Sequence, residues 1–106
     1  MIRVVIEADA KDDVRQATRY YADREHGLGQ RFLDEVRDAI SKIREMPLQF
    51  PVIDKNVRRA LLNRFPYVIY FMLFDKRKAS IIAVLHQKRH PSAFDGRVGR
   101  GPKRGG

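Results

Sequence analysis

The sequence predicts an α+β fold in the order β-αα-βββ, in which a helical hairpin packs on one face of a small, mainly antiparallel sheet. Two segments with apolar residues at helical spacing stand next to each other, separated by the turn 27–29. Three strand-like runs follow the helices, over residues 57–64, 67–74 and 79–87. A short β-branched run over residues 2–7 precedes the helices, and we expect it to join the sheet beside the later strands.

The first helix is predicted to begin at Asp9 or Asp12, because aspartate is a favoured N-cap residue. Its buried face is predicted from three apolar residues at helical spacing, Val14, Ala17 and Tyr21. Gly27 is expected at the C′ position just past the helix, where a left-handed backbone favours glycine.

The second helix is predicted over residues 29–46 and ends before Pro47, which cannot continue it. One face carries its large apolar residues, Phe32, Val36, Ile40 and Ile43. Because the two helices are similar in length and their connection is short, we expect an antiparallel αα-hairpin.

The strand-rich half begins after residues 47–56, which hold two prolines and are predicted to form a loop. Residues 67–74 are apolar at successive positions, which is typical of a central strand covered on both faces. One face should pack on the helices, and the other must be covered or serve as a binding surface. Residues 75–78, with the sequence DKRK, are predicted to form a four-residue hairpin turn with cations at its tip.

The length of 106 residues predicts one domain, which we place at residues 1–95. Residues 96–106 are basic, rich in glycine and without apolar periodicity, so we expect a disordered tail. The longest apolar runs have the length of strands, which argues against a membrane span. The first residues lack the pattern of a secretory signal, and a cytoplasmic protein is expected.

Several kinds of site are excluded by the residue types. The chain has no cysteine, so disulfides and thiolate metal sites are excluded. Its three histidines lack metal-ligand spacing, and its glycines do not form a phosphate-binding loop. We therefore expect neither a metal nor a cofactor.

The net charge indicates a polyanionic partner. Lys and Arg number 22 against 13 acids, giving +9, and residues 47–95 alone carry nine bases against three acids. A concentration of positive charge in one half is typical of proteins that bind nucleic acid, a ribosome or an acidic protein segment. A basic, solvated surface is the alternative interpretation.

Three arginines on the first strand of the second half are candidates for phosphate or target binding. Arg58 and Arg64 are separated by an even number of residues, so we expect them on one strand face, with Arg59 on the other. Two arginines on one face can clamp a phosphate through paired hydrogen bonds. The alternative is a half-exposed strand with solvated cations.

The end of the last strand provides the second group of candidates. His86 is separated by even numbers of residues from Ile82 and Val84, so we expect it on the same strand face. It is then either a packed histidine or a general acid or base. Lys88 and Arg89 follow as further phosphate-binding candidates, and His90 stands before a proline that keeps it extended. Cleavage of RNA by its 2′-hydroxyl needs a base, an acid and a cation, which Arg64, Arg89 and the two histidines would supply.

Three ordered strings resemble the ParE branch of the RelE/ParE toxin superfamily: YYADREHGLGQRFLDEVRDAISKI, RRALLNRFPYVIYF and IIAVLHQKRHP. The resemblance spans about residues 9–97. It implies the RelE/ParE-like β-αα-βββ fold and a toxin of a type II toxin–antitoxin, or plasmid stabilisation, system. It also implies growth arrest and neutralisation by a cognate antitoxin.

The resemblance leaves the target of the toxin open. ParE-like members are associated with inhibition of DNA gyrase, and this non-enzymatic function is our first expectation. The alternative is a RelE-like, metal-independent mRNA endoribonuclease that acts on the ribosome. In that case Arg64 matches a phosphate-stabilising arginine, and His86 and Arg89 lie on a segment that carries further nuclease residues. A third hypothesis is a non-toxic basic module that binds nucleic acid.

Overall fold

The computed structural model describes residues 1–89 and 95–98, and it confirms the predicted α+β class. Two helices pack on one face of a five-stranded mixed sheet. The elements in chain order are β1 (Arg3–Ile6), α1 (Ala8–Arg24), α2 (Leu28–Glu45), a 3-10 turn (Pro47–Gln49), β2 (Val52–Asp54), β3 (Val57–Leu61), β4 (Tyr67–Asp75), β5 (Lys78–His86) and α3 (Asp95–Val98).

The sheet has the order β1-β5-β4-β3-β2, so β4 lies at its centre as predicted. β1 joins β5 in parallel, and every other pair is antiparallel. The prediction of a loop over 47–56 was wrong, because Val52–Asp54 pairs with β3 as a fifth strand. A strand of three residues is too short to show alternation in the sequence, and an edge position tolerates the neighbouring Pro51.

The helix boundaries differ from those predicted. α1 begins directly after Glu7, whose backbone is extended, and neither Asp9 nor Asp12 is its N-cap. Gly27 does have a positive φ of 84°, but it precedes α2 rather than closing α1, which ends at Arg24. The left-handed residue therefore turns the chain into the second helix.

Gly29 allows the two helices to approach closely. A Cβ atom at this position would lie 2.9 Å from the Thr18 carbonyl oxygen and 3.0 Å from the Ala22 Cβ atom. Because contacts of that length are not tolerated without movement, the glycine sets the separation of α1 and α2.

β4 is buried on both faces. Alternate side chains, including Ile69 and Phe71, belong to the main core between the sheet and the helices. The intervening side chains Val68, Tyr70 and Met72 belong to a second cluster and are at most 8% exposed. The near-continuous apolar run in the sequence reflects these two buried faces.

A β-bulge in β5 changes which of its side chains face the helices. Tyr70 pairs with Ala83 and Phe71 pairs with Ile81, which leaves Ile82 without an opposite residue. Ile82 consequently belongs to the second cluster, whereas Val84 belongs to the main core. The expectation that His86 shares a face with Ile82 was therefore wrong.

The β4–β5 connection is tighter than predicted. Asp75 and Lys78 form the last strand pair, so the turn itself is Lys76 and Arg77, not four residues. The Asp75 carboxylate accepts a hydrogen bond from the Arg77 backbone N–H at 2.6 Å. This contact stabilises the turn in the way typical of aspartate.

Candidate functional site

Four of the candidate residues, Arg64, His86, Lys88 and Arg89, lie at the end of the sheet where β3 ends, β4 begins and β5 ends. The bend between β3 and β4 is held by α2, since the Glu35 carboxylate accepts hydrogen bonds from the backbone N–H groups of Asn63 and Arg64, the latter at 2.9 Å. The Gln87 N–H donates to the Pro66 carbonyl at 2.8 Å, which joins the bend to the end of β5.

An aromatic cluster fixes this end of the sheet against the helices. Phe32 lies 5.2 Å from both Phe65 and Tyr67, and Tyr21 lies 4.8 Å from Phe65, measured between ring centroids. The edge-on geometries are those that aromatic quadrupoles favour. The backbone on either side of Pro66 is thus positioned by packing as well as by hydrogen bonds.

His86 is half-buried and fixed on two sides. Its ring packs against Tyr67 with a centroid distance of 5.4 Å, and its Nδ1 accepts a hydrogen bond from the Lys88 N–H at 3.1 Å. The Arg89 N–H donates to the His86 carbonyl at 2.9 Å. An Nδ1 that accepts a hydrogen bond leaves the proton of a neutral imidazole on Nε2.

A depression of about 270 Å³ next to His86 is also lined by Arg89, Tyr67, Tyr20 and Asp13. Burial raises the pKa of the Tyr67 hydroxyl above its usual range; Tyr20 adds to the shift, and the positive charge of Arg89 opposes it. Arg89 is therefore close enough to act on Tyr67 electrostatically. This depression, called the His86 depression below, combines aromatic faces with one cation and one carboxylate.

Arg64 lines a different and larger depression of about 680 Å³. Its charged lining consists of two arginines, Arg31 and Arg64, and three acids, Asp34, Glu35 and Asp38. Three carboxylates against two guanidinium groups leave a net charge of −1, which disfavours a phosphate. Arg64 and His86, which the nuclease hypothesis requires around one phosphate, thus line different depressions.

The other candidates are dispersed. Arg58 faces the helices and donates to the Phe50 carbonyl at 2.7 Å, which gives it a structural contact. β3 ends at Leu61, so the expectation that Arg58 and Arg64 share a strand face was wrong. Arg59 lies on the opposite face, beside Tyr70, as its parity predicts. Lys88 is exposed just past β5, and His90 lies outside the described residues.

Sequence reasoning missed a contact beside the His86 depression. Arg97 of α3 donates from Nη1 to Asp13 Oδ2 at 2.6 Å and to the Ile82 carbonyl at 3.0 Å. Asp13 Oδ2 also accepts from the Val84 N–H at 3.0 Å. β1 ends opposite Ile81, so the next residues of β5 have no strand beside them. The side chains of Arg97 and Asp13 bind the backbone of β5 there in place of a strand.

Comparison with known proteins identifies the family. The model of the ParE toxin of the type II toxin–antitoxin system parDE matches residues 4–91. The chain belongs to the ParE toxin family. Among solved structures, it is similar to a chain of a chromosomal ParDE system from P. aeruginosa, with a TM-score of 0.59 and 17% identity, covering 81% of this chain and 96% of that one. No curated protein sequence matches significantly.

This ParE family member carries an apolar groove between its helices α1 and α2 and the strands β1 and β5, about 280 Å³ in volume. Val14, Leu33 and Ile40 contribute to its lining, and three exposed cations stand at its margin, Lys11, Arg15 and Arg37. Polar atoms contribute little of its surface, so it suits an amphipathic segment with acidic flanks. The groove is called the inter-helix groove below.

The described residues hold neither a metal-binding cluster nor a membrane-spanning helix. No group of three or more histidine and acidic side chains is arranged to hold a metal ion within residues 1–89 and 95–98. In the same part of the chain, no helix is both long and apolar enough to span a bilayer.

Proposed function

We propose that this chain is a growth-arresting toxin that inhibits DNA gyrase without enzymatic activity of its own and is neutralised by a cognate antitoxin. Membership of the ParE toxin family over residues 4–91 carries the toxin part of the proposal. The gyrase target follows from the resemblance to the ParE branch rather than the nuclease branch.

The distribution of the candidate residues over two depressions supports a non-enzymatic mechanism. Cleavage of RNA through its 2′-hydroxyl needs a base, an acid and a positive charge around one phosphate. Arg64 lies in an acid-lined depression, whereas His86 and Arg89 line another. His86 Nδ1 is also occupied by the Lys88 N–H, which leaves Nε2 as the single free nitrogen of that imidazole.

The inter-helix groove supports neutralisation by an antitoxin with an acidic amphipathic segment. Its apolar lining would bury the hydrophobic side of such a segment, and Lys11, Arg15 and Arg37 would meet its carboxylates. Complementary charge of this kind accelerates association and fixes orientation. The net charge of +9 acts in the same direction over longer distances.

A supercoiling assay tests the gyrase target. Purified toxin should inhibit gyrase-catalysed supercoiling of relaxed plasmid, or trap gyrase-cleaved DNA, in proportion to toxin concentration. Arg64→Gln and His86→Asn should retain that inhibition, because neither residue performs chemistry. Normal supercoiling at saturating toxin contradicts the proposal. Cleavage of ribosome-bound mRNA that disappears in both variants would establish the nuclease alternative.

An affinity measurement tests the antitoxin site. With the antitoxin encoded beside the toxin, the double variant Lys11→Glu/Arg37→Glu should bind about tenfold or more weakly, because it reverses the charge at the groove margin. Lys42→Glu/Arg19→Glu is the matched control, since both residues are exposed on the helices and absent from the groove lining. Equal losses in the two variants would rule out the groove as the specific site.

A further inference from the structure

A second concentration of cations lies at the end of the sheet opposite the candidate site. β3 is antiparallel to β2 and β4, and β4 is antiparallel to β5, so the β2–β3 and β4–β5 turns lie at one end. β1 is parallel to β5, so both strands start there. The cations are Arg3, Lys55, Lys76, Arg77 and Lys78, which are together called the strand-tip row.

The strand-tip row is electrostatically unfavourable in the isolated protein. Arg3 and Lys78 are register partners on neighbouring strands, which lie about 4.8 Å apart. Like charges in directly opposed positions destabilise a sheet. The Arg3 N–H also donates to the Arg77 carbonyl at 2.7 Å, so the backbone holds the start of β1 against the turn. The arrangement is the one expected where an external anion supplies the compensating charge.

Nearby acids leave the row positively charged. Asp54 and Asp75 flank the two turns, and Arg44 and Glu45 at the end of α2, next to Ile2, add one charge of each sign. Six cations against three carboxylates give +3. The Asp75 carboxylate is engaged by the Arg77 backbone N–H rather than by a cationic side chain. Within residues 1–89 and 95–98, none of the ion pairs includes a member of the row.

The length of the row matches an extended polyanion. It extends along the sheet from β1 to the β2–β3 turn, which corresponds to three to four strand spacings or about 14–19 Å. A duplex segment of that length carries on the order of ten phosphate charges. A single small anion would contact one part of the row, whereas a nucleic-acid backbone would contact its whole length.

We propose that the strand-tip row binds the sugar–phosphate backbone of duplex DNA without sequence specificity. Three of its five members are lysines, which are depleted at the centres of protein–protein interfaces but common in contacts with phosphate. Lys76 and Arg77 occupy the two positions of a tight turn at the end of the β4 and β5 strands, and both are exposed. The surface is separate from the His86 depression and does not depend on gyrase as the target.

Fluorescence anisotropy with a labelled duplex of two helical turns tests the proposal directly. The full-length toxin should bind the duplex at low salt, and the affinity should fall steeply as salt rises. The triple variant Lys76→Gln/Arg77→Gln/Lys78→Gln should reduce the slope of log affinity against log salt by about 2 to 3 and weaken binding at least tenfold. Arg19→Gln/Arg37→Gln/Lys42→Gln removes the same net charge from exposed helix positions and should change both quantities much less.

Each outcome decides the proposal. A selective loss in the turn variant, accompanied by a smaller loss in Arg3→Gln, supports it. Equal losses in the two triple variants would mean that diffuse positive charge binds DNA, and would overturn it. The proposal also fails if the wild-type toxin does not bind duplex, or if the turn variant loses affinity for polyglutamate but not for DNA. Because gyrase is absent from the assay, its result is independent of the supercoiling test.

Discussion

Asp13 and Arg97 face each other across 84 residues of sequence, with Arg97 Nη1 2.6 Å from Asp13 Oδ2 and Nη2 3.2 Å from Asp13 Oδ1. Their side chains are only 11% and 20% exposed, respectively. The hydrogen bond to Asp13 raises the pKa of the Arg97 guanidinium above its usual value. This pair couples the first helix, the free edge of β5 and the short helix α3.

Removal of Arg97 should destabilise the protein. Arg97→Gln leaves a largely buried Asp13 carboxylate without its cation and the Ile82 carbonyl without a donor, so we expect a loss of about 2 kcal/mol in the free energy of unfolding. Urea denaturation measures the change. The exposed Asp12–Arg15 pair is the control, because Arg15→Gln should cost about 0.5 kcal/mol or less. Equal costs for the two substitutions would contradict the structural role of Arg97.

Gly29→Ala should also destabilise the protein, through a steric effect. The added Cβ atom would lie 2.9 Å from a backbone oxygen of α1 that cannot move independently, and we expect a cost of about 1–3 kcal/mol. Thermal unfolding measures it. Gly27→Asn provides the comparison, since the space there is open and asparagine tolerates a left-handed backbone. A neutral Gly29→Ala would mean that the helices separate freely.

The carboxylate of Glu35 should control the bend that carries Arg64. Glu35→Ala removes the acceptor for two backbone N–H groups, and we predict faster hydrogen exchange at Asn63 and Arg64 with a loss of about 1 kcal/mol. Glu35→Gln keeps an amide oxygen in the same position and should have a smaller effect. Unchanged exchange in Glu35→Ala would show that aromatic packing alone fixes the bend.

Stability should decline in strongly alkaline solution because of three tyrosines. Burial raises the pKa values of the hydroxyls of Tyr21, Tyr67 and Tyr70 above the usual value of about 10. Well below pH 10 the three are neutral in both folded and unfolded chains and contribute no pH dependence. At higher pH the unfolded chain loses protons first, so the free energy of unfolding falls as the pH rises toward the folded-state pKa values.

Melting temperatures measured from neutral to alkaline pH test this decline, and Tyr70→Phe should make it shallower. Arg59 opposes the effect of burial on Tyr70, so Arg59→Gln should raise the pKa of Tyr70 further. Ultraviolet titration of tyrosinate in the folded protein detects that shift. A titration of Tyr70 that moves to lower pH in Arg59→Gln would reverse the assigned sign.

The fold was predictable because its strongest signals are local. Two amphipathic helices and the apolar run of β4 follow from spacing alone, and the structure contains each of them. β2 was missed because three residues do not make a pattern. The start of α1 was assigned wrongly because the chain passes from β1 into the helix at Glu7, with no favoured capping residue to mark the change.

The arrangement of the candidate residues was less predictable, since it depends on local irregularities, such as a β-bulge or the early end of a strand, that change the face on which a side chain lies. The parity rule failed for His86 and Ile82 because a bulge intervenes, and for Arg64 because β3 had already ended. The Asp13–Arg97 pair joins residues at opposite ends of the chain, and no local pattern marks it. Whether 96–106 forms a disordered tail stays a prediction, although the described residues 95–98 form a helical turn.

The parallel pairing of β1 with β5 has a consequence for synthesis of the protein. Arg3 pairs with Lys78, a separation of 75 residues, so β1 has no partner on the ribosome until β5 has been translated. Closing so long a loop is entropically expensive and slow, whereas the helical hairpin forms from adjacent segments. The sheet therefore completes only after β5 has been translated, and a nascent chain shorter than about 80 residues lacks both the β1–β5 pair and the end of β5. Any harm that the folded domain does to its cell is postponed until its last strand has left the ribosome.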